Sequence, residues 1–363
     1  MASLTFLIKP VSGQCNLLCE YCFYKGHTYG QNPVMCEGTI EVLVKKAMDY
    51  CDERCTFLFQ GGEPTLCGLP FYEKFVKQVE TYNTNHIQVD YMIQTNGQLL
   101  DMKWSEFFAR NNFLVGVSID GTKEAHEKYR KRPDGKSSFD YATAGIKCLQ
   151  QAGVEYSVLI TVTDVLKGQA SNVYKTCTQH GWENLHIIPC IPESGMVQAL
   201  STHVYAEFIN TLFDLWFEDL CHGKYISIRL FENYVRLLSG GGYEQCGLLG
   251  TCAPSLVIEQ NGECYPCDFY VREDMLLGSI ETNSIKELLT ELNNHFLSPA
   301  ASTPKSEECK NCQYYRICGG GCQRYRNKEG RYVLCSGMKS FFSHCFSRLV
   351  MIARNERKLS YNA

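Results

Sequence analysis

Seven cysteines in two tight runs constrain this chain more than anything else in it: Cys15-x3-Cys19-x2-Cys22 near the start and Cys309-x2-Cys312-x5-Cys318-x3-Cys322 near the end. The chain has 21 cysteines, an odd total that fits poorly with complete pairing. Its opening, Met-Ala-Ser-Leu-Thr-Phe-Leu-Ile-Lys, has too short an apolar stretch for a signal peptide and no basic segment before it. A cytoplasmic location is expected, where thiols stay reduced and a disulfide framework is excluded. Reduced, clustered thiolates are soft ligands that select zinc or iron–sulfur clusters. Metal is the first inference.

The rest of the composition is that of an ordinary soluble globular protein. Hydrophobic residues make up 45% and charged residues 20% of 363 residues, enough for one large α/β domain and a smaller appendage. A net charge of -4 argues against a nucleic-acid partner, and no apolar run approaches the roughly 18–20 residues of a membrane span. Strands are expected near 4–8, 56–60, 88–94, 114–119, 156–162 and 185–189, with helices near 37–52, 69–83, 101–111, 138–152 and 168–181. Six strand–helix repeats with nearly all-apolar strands predict an α/β fold built on a parallel sheet, a partial (β/α)6 TIM-like barrel. A full eight-fold barrel usually takes ~250 residues. A long helix over 204–220, a short apolar piece at 226–230 and the glycine-rich stretch 239–243 follow. The expected division is a barrel over 1–238, a small cysteine-rich domain over 239–345 and a C-terminal helix and tail over 346–363, the closing helix running about 339–358.

Cys15, Cys19 and Cys22 directly follow the first strand. Three cysteines hold three irons of a four-iron cluster and leave the fourth open, which is the mark of a site that binds a reactant. A zinc knuckle short of one ligand is the alternative. Three further turns lie at the C-terminal ends of expected strands: Gly61-Gly62-Glu63-Pro64, Gln94-Thr95-Asn96-Gly97 and Ser118-Ile119-Asp120-Gly121. Each alone is an ordinary tight turn. Together they describe one barrel mouth, at the end where such barrels build active sites.

Cys15-x3-Cys19-x2-Cys22-Phe23-Tyr24 followed by Gly61-Gly62-Glu63-Pro64 resembles the signature of radical S-adenosylmethionine enzymes. In that family the open iron chelates the cofactor's methionine amino and carboxylate groups. The resemblance implies that Gly61, Gly62 and Glu63 receive the amino group and that Ser118 and Asp120 receive the ribose. It makes Arg130 a candidate for the carboxylate, although Tyr129-Arg130-Lys131-Arg132 also reads as a solvated basic loop.

The later cysteines resemble the SPASM extension with its two auxiliary four-iron clusters, making three [4Fe-4S] clusters in all. By position, Cys246, Cys252, Cys267 and Cys322 would hold the first, and Cys309, Cys312, Cys318 and Cys335 the second. A pair of four-thiolate zinc sites is the alternative, since spacing alone does not name the metal. Ten further cysteines read as small buried hydrophobes, with Cys264 singled out because it lies three residues before Cys267.

Over nearly its whole length the chain resembles the anaerobic sulfatase-maturating enzymes, most tellingly at Tyr265-Pro266-Cys267-Asp268-Phe269-Tyr270. That resemblance implies oxidation of a cysteine or serine in a sulfatase Cys/Ser-x-Pro-x-Arg motif to Cα-formylglycine. A 5′-deoxyadenosyl radical would take hydrogen from the β-carbon, with Asp268 as the base. Asp268 as a surface carboxylate is the plain alternative. Tyr24 and Gln60 are candidates for orienting the peptide, and a flavodoxin or ferredoxin would be the electron donor. A maturase that crosslinks a short ribosomal peptide is the competing enzyme reading, and an electron carrier or zinc scaffold the non-enzymatic one.

Overall fold

Strand β1, Ser3–Lys9, buries Leu4, Phe6 and Ile8 on one face while Leu7 is half-buried on the other. This is how a strand covered on both sides reads. The computed structural model describes residues 2–25, 33–191 and 200–361, with side chains to residue 355. Among them the strands continue as β2 (Arg54–Phe59), β3 (Gln88–Thr95), β4 (Phe113–Ser118), β5 (Tyr156–Val162), β6 (Asn184–Pro189), β7 (Ser227–Ile228), β8 (Leu256–Glu259), β9 (Glu263–Tyr265) and β10 (Gly278–Ser279). The six expected strands are all present, within two residues at each end.

The chain divides into two compact units, each drawn from three stretches. The first comprises 1–118, 127–156 and 254–301. Its strands run in the order β10-β9-β8-β1-β2-β3-β4. From β8 to β4 they are parallel, whereas β8–β9 and β9–β10 are antiparallel, so the sheet is mixed. Helices Glu37–Tyr50, Leu69–Tyr82, Met102–Arg110 and Ser138–Gln151 connect or cover the parallel strands, close to the expected limits. Asp101 and Ser137 cap the last two, accepting from Trp104 and Asp140 N–H groups at 3.0 and 3.1 Å. A layer of rings, Phe57, Phe59, Tyr72, Phe75, Phe108 and Phe113, is fully or almost fully buried between sheet and helices. Phe57–Phe75 and Phe59–Tyr72 meet edge to face at 4.9 and 5.0 Å. Each such ring contributes about 1.5–3 kcal/mol by leaving water, and this layer holds the strand ends in register.

The second unit comprises 119–126, 157–253 and 302–363. It holds β5, β6 and β7 in parallel order. The apolar piece at 226–230 contributes only the two residues of β7. From Arg229 the chain is a helix to Ser239, ended by Gly240 in the left-handed region. Residues 168–181 give the helix Ala170–Gln179, preceded by a separate short turn at Asp164–Leu166. Thr202–Cys221 and Cys335–Tyr361 form long helices on either side of an aromatic cluster that includes Phe213, Phe231 and Phe341. No helix among the described residues is long and apolar enough to cross a membrane.

Candidate active site

The parallel strands of the first unit end on three loops that are tied to one another through backbone. After β1 the chain turns through Ser12 and Gln14 into Cys15. After β2 it turns through Gly61 and Gly62. Gly62 N–H donates to Ser12 O at 2.6 Å and Glu63 N–H to Gln14 O at 2.7 Å, so the glycine turn is clamped onto the cysteine loop. A side chain at Gly62 would place its first carbon 1.9 Å from Gln14 O, and Gly61 sits at φ +128°. Only glycine fits both places.

Glu63 does not present its carboxylate to a ligand. It is 0% exposed and accepts from Thr65 N–H (3.0 Å), Thr65 Oγ1 (2.5 Å), Thr95 Oγ1 (2.7 Å) and Asn96 N–H (2.7 Å). Burial pushes its pKa up, opposed by those four donors. The side chain is thus a strut joining the β2 and β3 loops. What the turn leaves for a cofactor's amino group is backbone. Asn96 continues the chain of contacts, reaching Asn16 at 2.7 Å and Cys15 Sγ at 3.6 Å.

Cys15 is exposed as a residue, yet the atoms around its sulfur desolvate the thiol and raise it to about 11. Cys19 and Cys22 share its loop, which is pinned by Leu18 N–H to Lys131 O (2.8 Å) and Glu20 N–H to Tyr129 O (3.0 Å). In the run 129–132 Tyr129 and Arg130 are buried, Arg130 at 8% exposure with its guanidinium 5.3 Å from the Tyr21 ring, whereas Lys131 pairs with Glu20 at the surface. Arg130 is therefore not part of a solvated loop. Ser118 ends β4 and is buried. In the second unit, Asp120 is buried and accepts from Thr161 N–H at 3.1 Å, while its own N–H donates to His126 Nδ1 at 3.2 Å.

On the other side of β1, β8 brings a carboxylate that sequence reasoning missed. Ser12 Oγ donates to Glu259 at 2.5 Å and Tyr24 hydroxyl donates to its other oxygen. Lys9, 1% exposed, lies 3.8 Å over the Tyr24 ring. Burial pushes its pKa down, opposed first by Asp268 and then by Glu259. Asp268 follows β9 on a short turn, Asp268–Tyr270. One of its oxygens accepts from Gln60 Nε2 at 3.0 Å and the other from Cys267 Sγ at 3.3 Å. Phe23 packs on Phe269 at 4.4 Å. Gln60 and Asp268 are thus brought together, and Tyr24 is placed on Glu259. The signal for β8 and β9 was present: Leu256–Glu259 and Glu263–Tyr265 flank Asn261-Gly262, a hairpin pair with Gly262 at φ +82°. Cys264, in the middle of β9, is buried with its thiol raised to about 12.

In the second unit, Cys309, Cys312, Cys318 and Cys335 line one pocket together with Tyr314, Tyr332 and Phe342. Burial raises Cys318 to about 11 and pushes Cys335 up as well. Cys252 is raised to about 12 by burial and by Cys246 and Cys322 beside it, and Gln323 Nε2 donates to it at 3.2 Å. Arg326, another residue missed, donates to the carbonyls of Gly250 (2.7 Å), Thr303 (2.8 Å), Gly320 (3.1 Å) and Gly321 (2.8 Å). It fixes the loops that carry these thiols. No three His, Cys, Asp or Glu among the described residues close to the spacing of ligands on a single ion. The four thiols instead ring a pocket, and a soft, caged donor set of this kind fits an iron–sulfur cluster. Ligation would release the protons that burial holds on these sulfurs.

Comparison with known proteins agrees with this geometry. The radical SAM superfamily model matches residues 10–170, and the SPASM model, an iron–sulfur cluster-binding domain, matches residues 252–313. A cysteine-type anaerobic sulfatase-maturating enzyme of Clostridium novyi (strain NT) is 39% identical, over 98% of this chain and 98% of its own. A serine-type enzyme of Bacteroides thetaiotaomicron is 30% identical, over 94% of this chain and 89% of its own. Among solved structures, native anSMEcpe with bound AdoMet and Kp18Cys peptide matches with a TM-score of 0.92 and 36% identity, covering 98% of this chain and 100% of that one.

Proposed function

The chain belongs to the anaerobic sulfatase-maturating enzymes, within the radical SAM superfamily and with its SPASM extension, and from that membership we propose that it oxidises a peptidyl cysteine of a sulfatase to Cα-formylglycine. Three relatives at 35–39% identity are cysteine-type and three at 26–30% are serine-type, which favours cysteine in the Cys/Ser-x-Pro-x-Arg motif. The observation that carries the reading is Asp268. It is a carboxylate held by Gln60 at 3.0 Å, in the same unit as the Cys15–Cys22 loop and the glycine turn that clamps it.

The residues divide the work as follows. Cys15, Cys19 and Cys22 hold the cluster with the open iron. Cys246, Cys252, Cys267 and Cys322 hold one auxiliary cluster, and Cys309, Cys312, Cys318 and Cys335 the other. When bound, the open cluster and S-adenosylmethionine would supply a 5′-deoxyadenosyl radical that removes a hydrogen atom from the peptide β-carbon. With the thiol proton taken by Asp268, the remaining electron would pass to an auxiliary cluster, and the thioaldehyde so formed would exchange its sulfur for oxygen from water, releasing hydrogen sulfide. Backbone of the Gly61-Gly62-Glu63 turn receives the cofactor's amino group, Arg130 its carboxylate, and Ser118 and Asp120 its ribose. Asp268 takes the proton from the substrate thiol, and Gln60 keeps one carboxylate oxygen engaged so that the other is aimed. Tyr24, its hydroxyl held by Glu259, would help Gln60 orient the peptide. The electron donor is a flavodoxin or ferredoxin and the compartment the cytoplasm, in keeping with so many free thiols.

Anaerobic incubation of the reduced, reconstituted protein with S-adenosylmethionine and a Cys-x-Pro-x-Arg peptide tests this. 5′-Deoxyadenosine together with a peptide aldehyde is the expected result. Deoxyadenosine with an unchanged peptide would reject the substrate and point to a different peptide maturation.

A further inference from the structure

Asn96 commits every polar group it has to the loop ends of the first unit. Its backbone N–H donates to Glu63 Oε2 at 2.7 Å, and its carbonyl oxygen accepts from Gln98 Nε2 at 3.3 Å. Its side-chain Oδ1 accepts from Gln98 N–H at 3.0 Å. That last bond decides which way the amide faces, because the oxygen is taken by its own turn and the NH2 is left for the cysteine loop. One N–H goes to Asn16 Oδ1 at 2.7 Å, the other to Cys15 Sγ at 3.6 Å, within range for the larger sulfur atom. With the residue 7% exposed, water does not compete freely for that donor, and the bond to Asn16 keeps the amide from rotating away.

We propose that Asn96 is a positioning residue for the open-iron cluster: its amide N–H, aimed at the Cys15 sulfur, stabilises the extra negative charge of the one-electron-reduced state and raises the cluster's reduction potential. The proposal rests on the assignment of Cys15, Cys19 and Cys22 as the cluster ligands. Hydrogen bonds to ligand sulfur are one of the means by which a protein sets such potentials, and residues behind the ligands orient them. The sulfur gains negative charge when the cluster takes its electron, so a fixed donor favours the reduced state over the oxidised one. The same residue ties Cys15 to Glu63 and so to the glycine turn. The cofactor turn and the cluster loop thus meet at one residue, the turn through its backbone N–H and the loop through its side-chain amide.

Two substitutions separate the donor from its surroundings. N96D keeps the oxygen that Gln98 N–H needs but removes the N–H. N96A removes both and adds no charge. Each reconstituted enzyme is titrated with titanium(III) citrate, a one-electron reductant, and the cluster is followed by its EPR signal, recognised by its change on adding S-adenosylmethionine. The expected result is a midpoint shifted to more negative potential in both variants, with iron and sulfide content at the wild-type level. A shift in N96D alone would be a charge effect and a shift in N96A alone a turn effect, and either overturns the proposal, as does a wild-type midpoint in both. Failure of the cluster assignment looks different: the cofactor-responsive signal would then be absent from wild type, or would survive replacement of Cys15, Cys19 and Cys22 by alanine.

Discussion

Adding one methyl group at Gly62 should disable cofactor cleavage while leaving most of the fold standing. The new carbon would lie 1.9 Å from Gln14 O, 2.5 Å from Gln14 C and 2.7 Å from Gly13 C, all of them backbone. A carbon and a carbonyl oxygen in contact sit roughly 3.3–3.6 Å apart, so the turn or the cysteine loop must move by about 1.4 Å or more. No flexible side chain can give way in its place. The movement strains or breaks the bonds from Gly62 N–H to Ser12 O and from Glu63 N–H to Gln14 O, each worth about 0.5–1.5 kcal/mol. With about 1–3 kcal/mol for overpacking, Gly62→Ala should cost on the order of 2–6 kcal/mol locally. A misplacement of about 1 Å in a reacting geometry is enough for a ~100-fold rate loss. Deoxyadenosine formation from S-adenosylmethionine, measured anaerobically without peptide, should therefore fall by about two orders of magnitude. A variant within a few-fold of wild type would show that the clamp between these two loops does not position the cofactor.

Three further substitutions test separate parts of the site. Asp268→Asn should lower aldehyde formation by about 10²–10⁴-fold while deoxyadenosine formation stays within several-fold, and equal loss of both would remove Asp268 as the base. Lys9→Met should destabilise the protein by about 3–5 kcal/mol in denaturant unfolding, because Asp268 and the buried Glu259 lose a shared counter-charge, and Lys9→Met with Glu259→Gln should recover part of that; no recovery would mean that Glu259 is not the charge Lys9 offsets. His186 has its pKa pushed down to about 4 by burial and by Arg229, so the unfolded chain binds its proton more readily. Its effect on stability is nil above pH ~6.5, and stability is lost as pH falls from there towards 4. His186→Phe should flatten that part of the profile by on the order of 2–3 kcal/mol relative to wild type, and parallel profiles would refute the buried-imidazole account.

The parallel core was legible because each of its strands is a short apolar run between turn residues, a local signal. Glu37–Tyr50 and Leu69–Tyr82 were placed within two residues for the same reason, since their buried faces recur at helical spacing. What escaped depends on partners far away in the chain. β8 is four residues long, and its strand character comes from pairing with β1, some 250 residues upstream. Reading 239–345 only as a small cysteine-rich domain hid that strand, and with it Glu259 and the burial of Lys9. A lysine ending a strand looks like a solvated charge until a second strand covers it. The helix Arg229–Ser239 was missed because its apolar start continues directly from β7, so the run at 226–230 carried one label where the chain has two structures.

Glu63 and Asp268 show where a motif stops and physics has to continue. Both are acids beside a glycine or cysteine motif, and both were assigned a direct chemical task. The structure separates them by what surrounds each carboxylate. Glu63 has four donors, two from Thr65 within its own turn and two from Thr95 and Asn96 at the end of β3, and no exposed surface, so its carboxylate is committed to holding the β2 and β3 loops together. Transferring a proton or receiving a ligand there would require breaking bonds that the fold depends on. Asp268 has one neutral amide donor, Gln60, the charge of Lys9 in its surroundings, and a thiol, Cys267, whose hydrogen would be lost on the proposed binding of that sulfur to iron. That leaves Asp268 an oxygen with unfilled capacity at the moment the clusters are in place. A carboxylate that gains a free lone pair on loading of the metal is suited to act as a base in the loaded enzyme. One that is buried and held by four donors before loading is suited to shape the turn between the β2 and β3 loops.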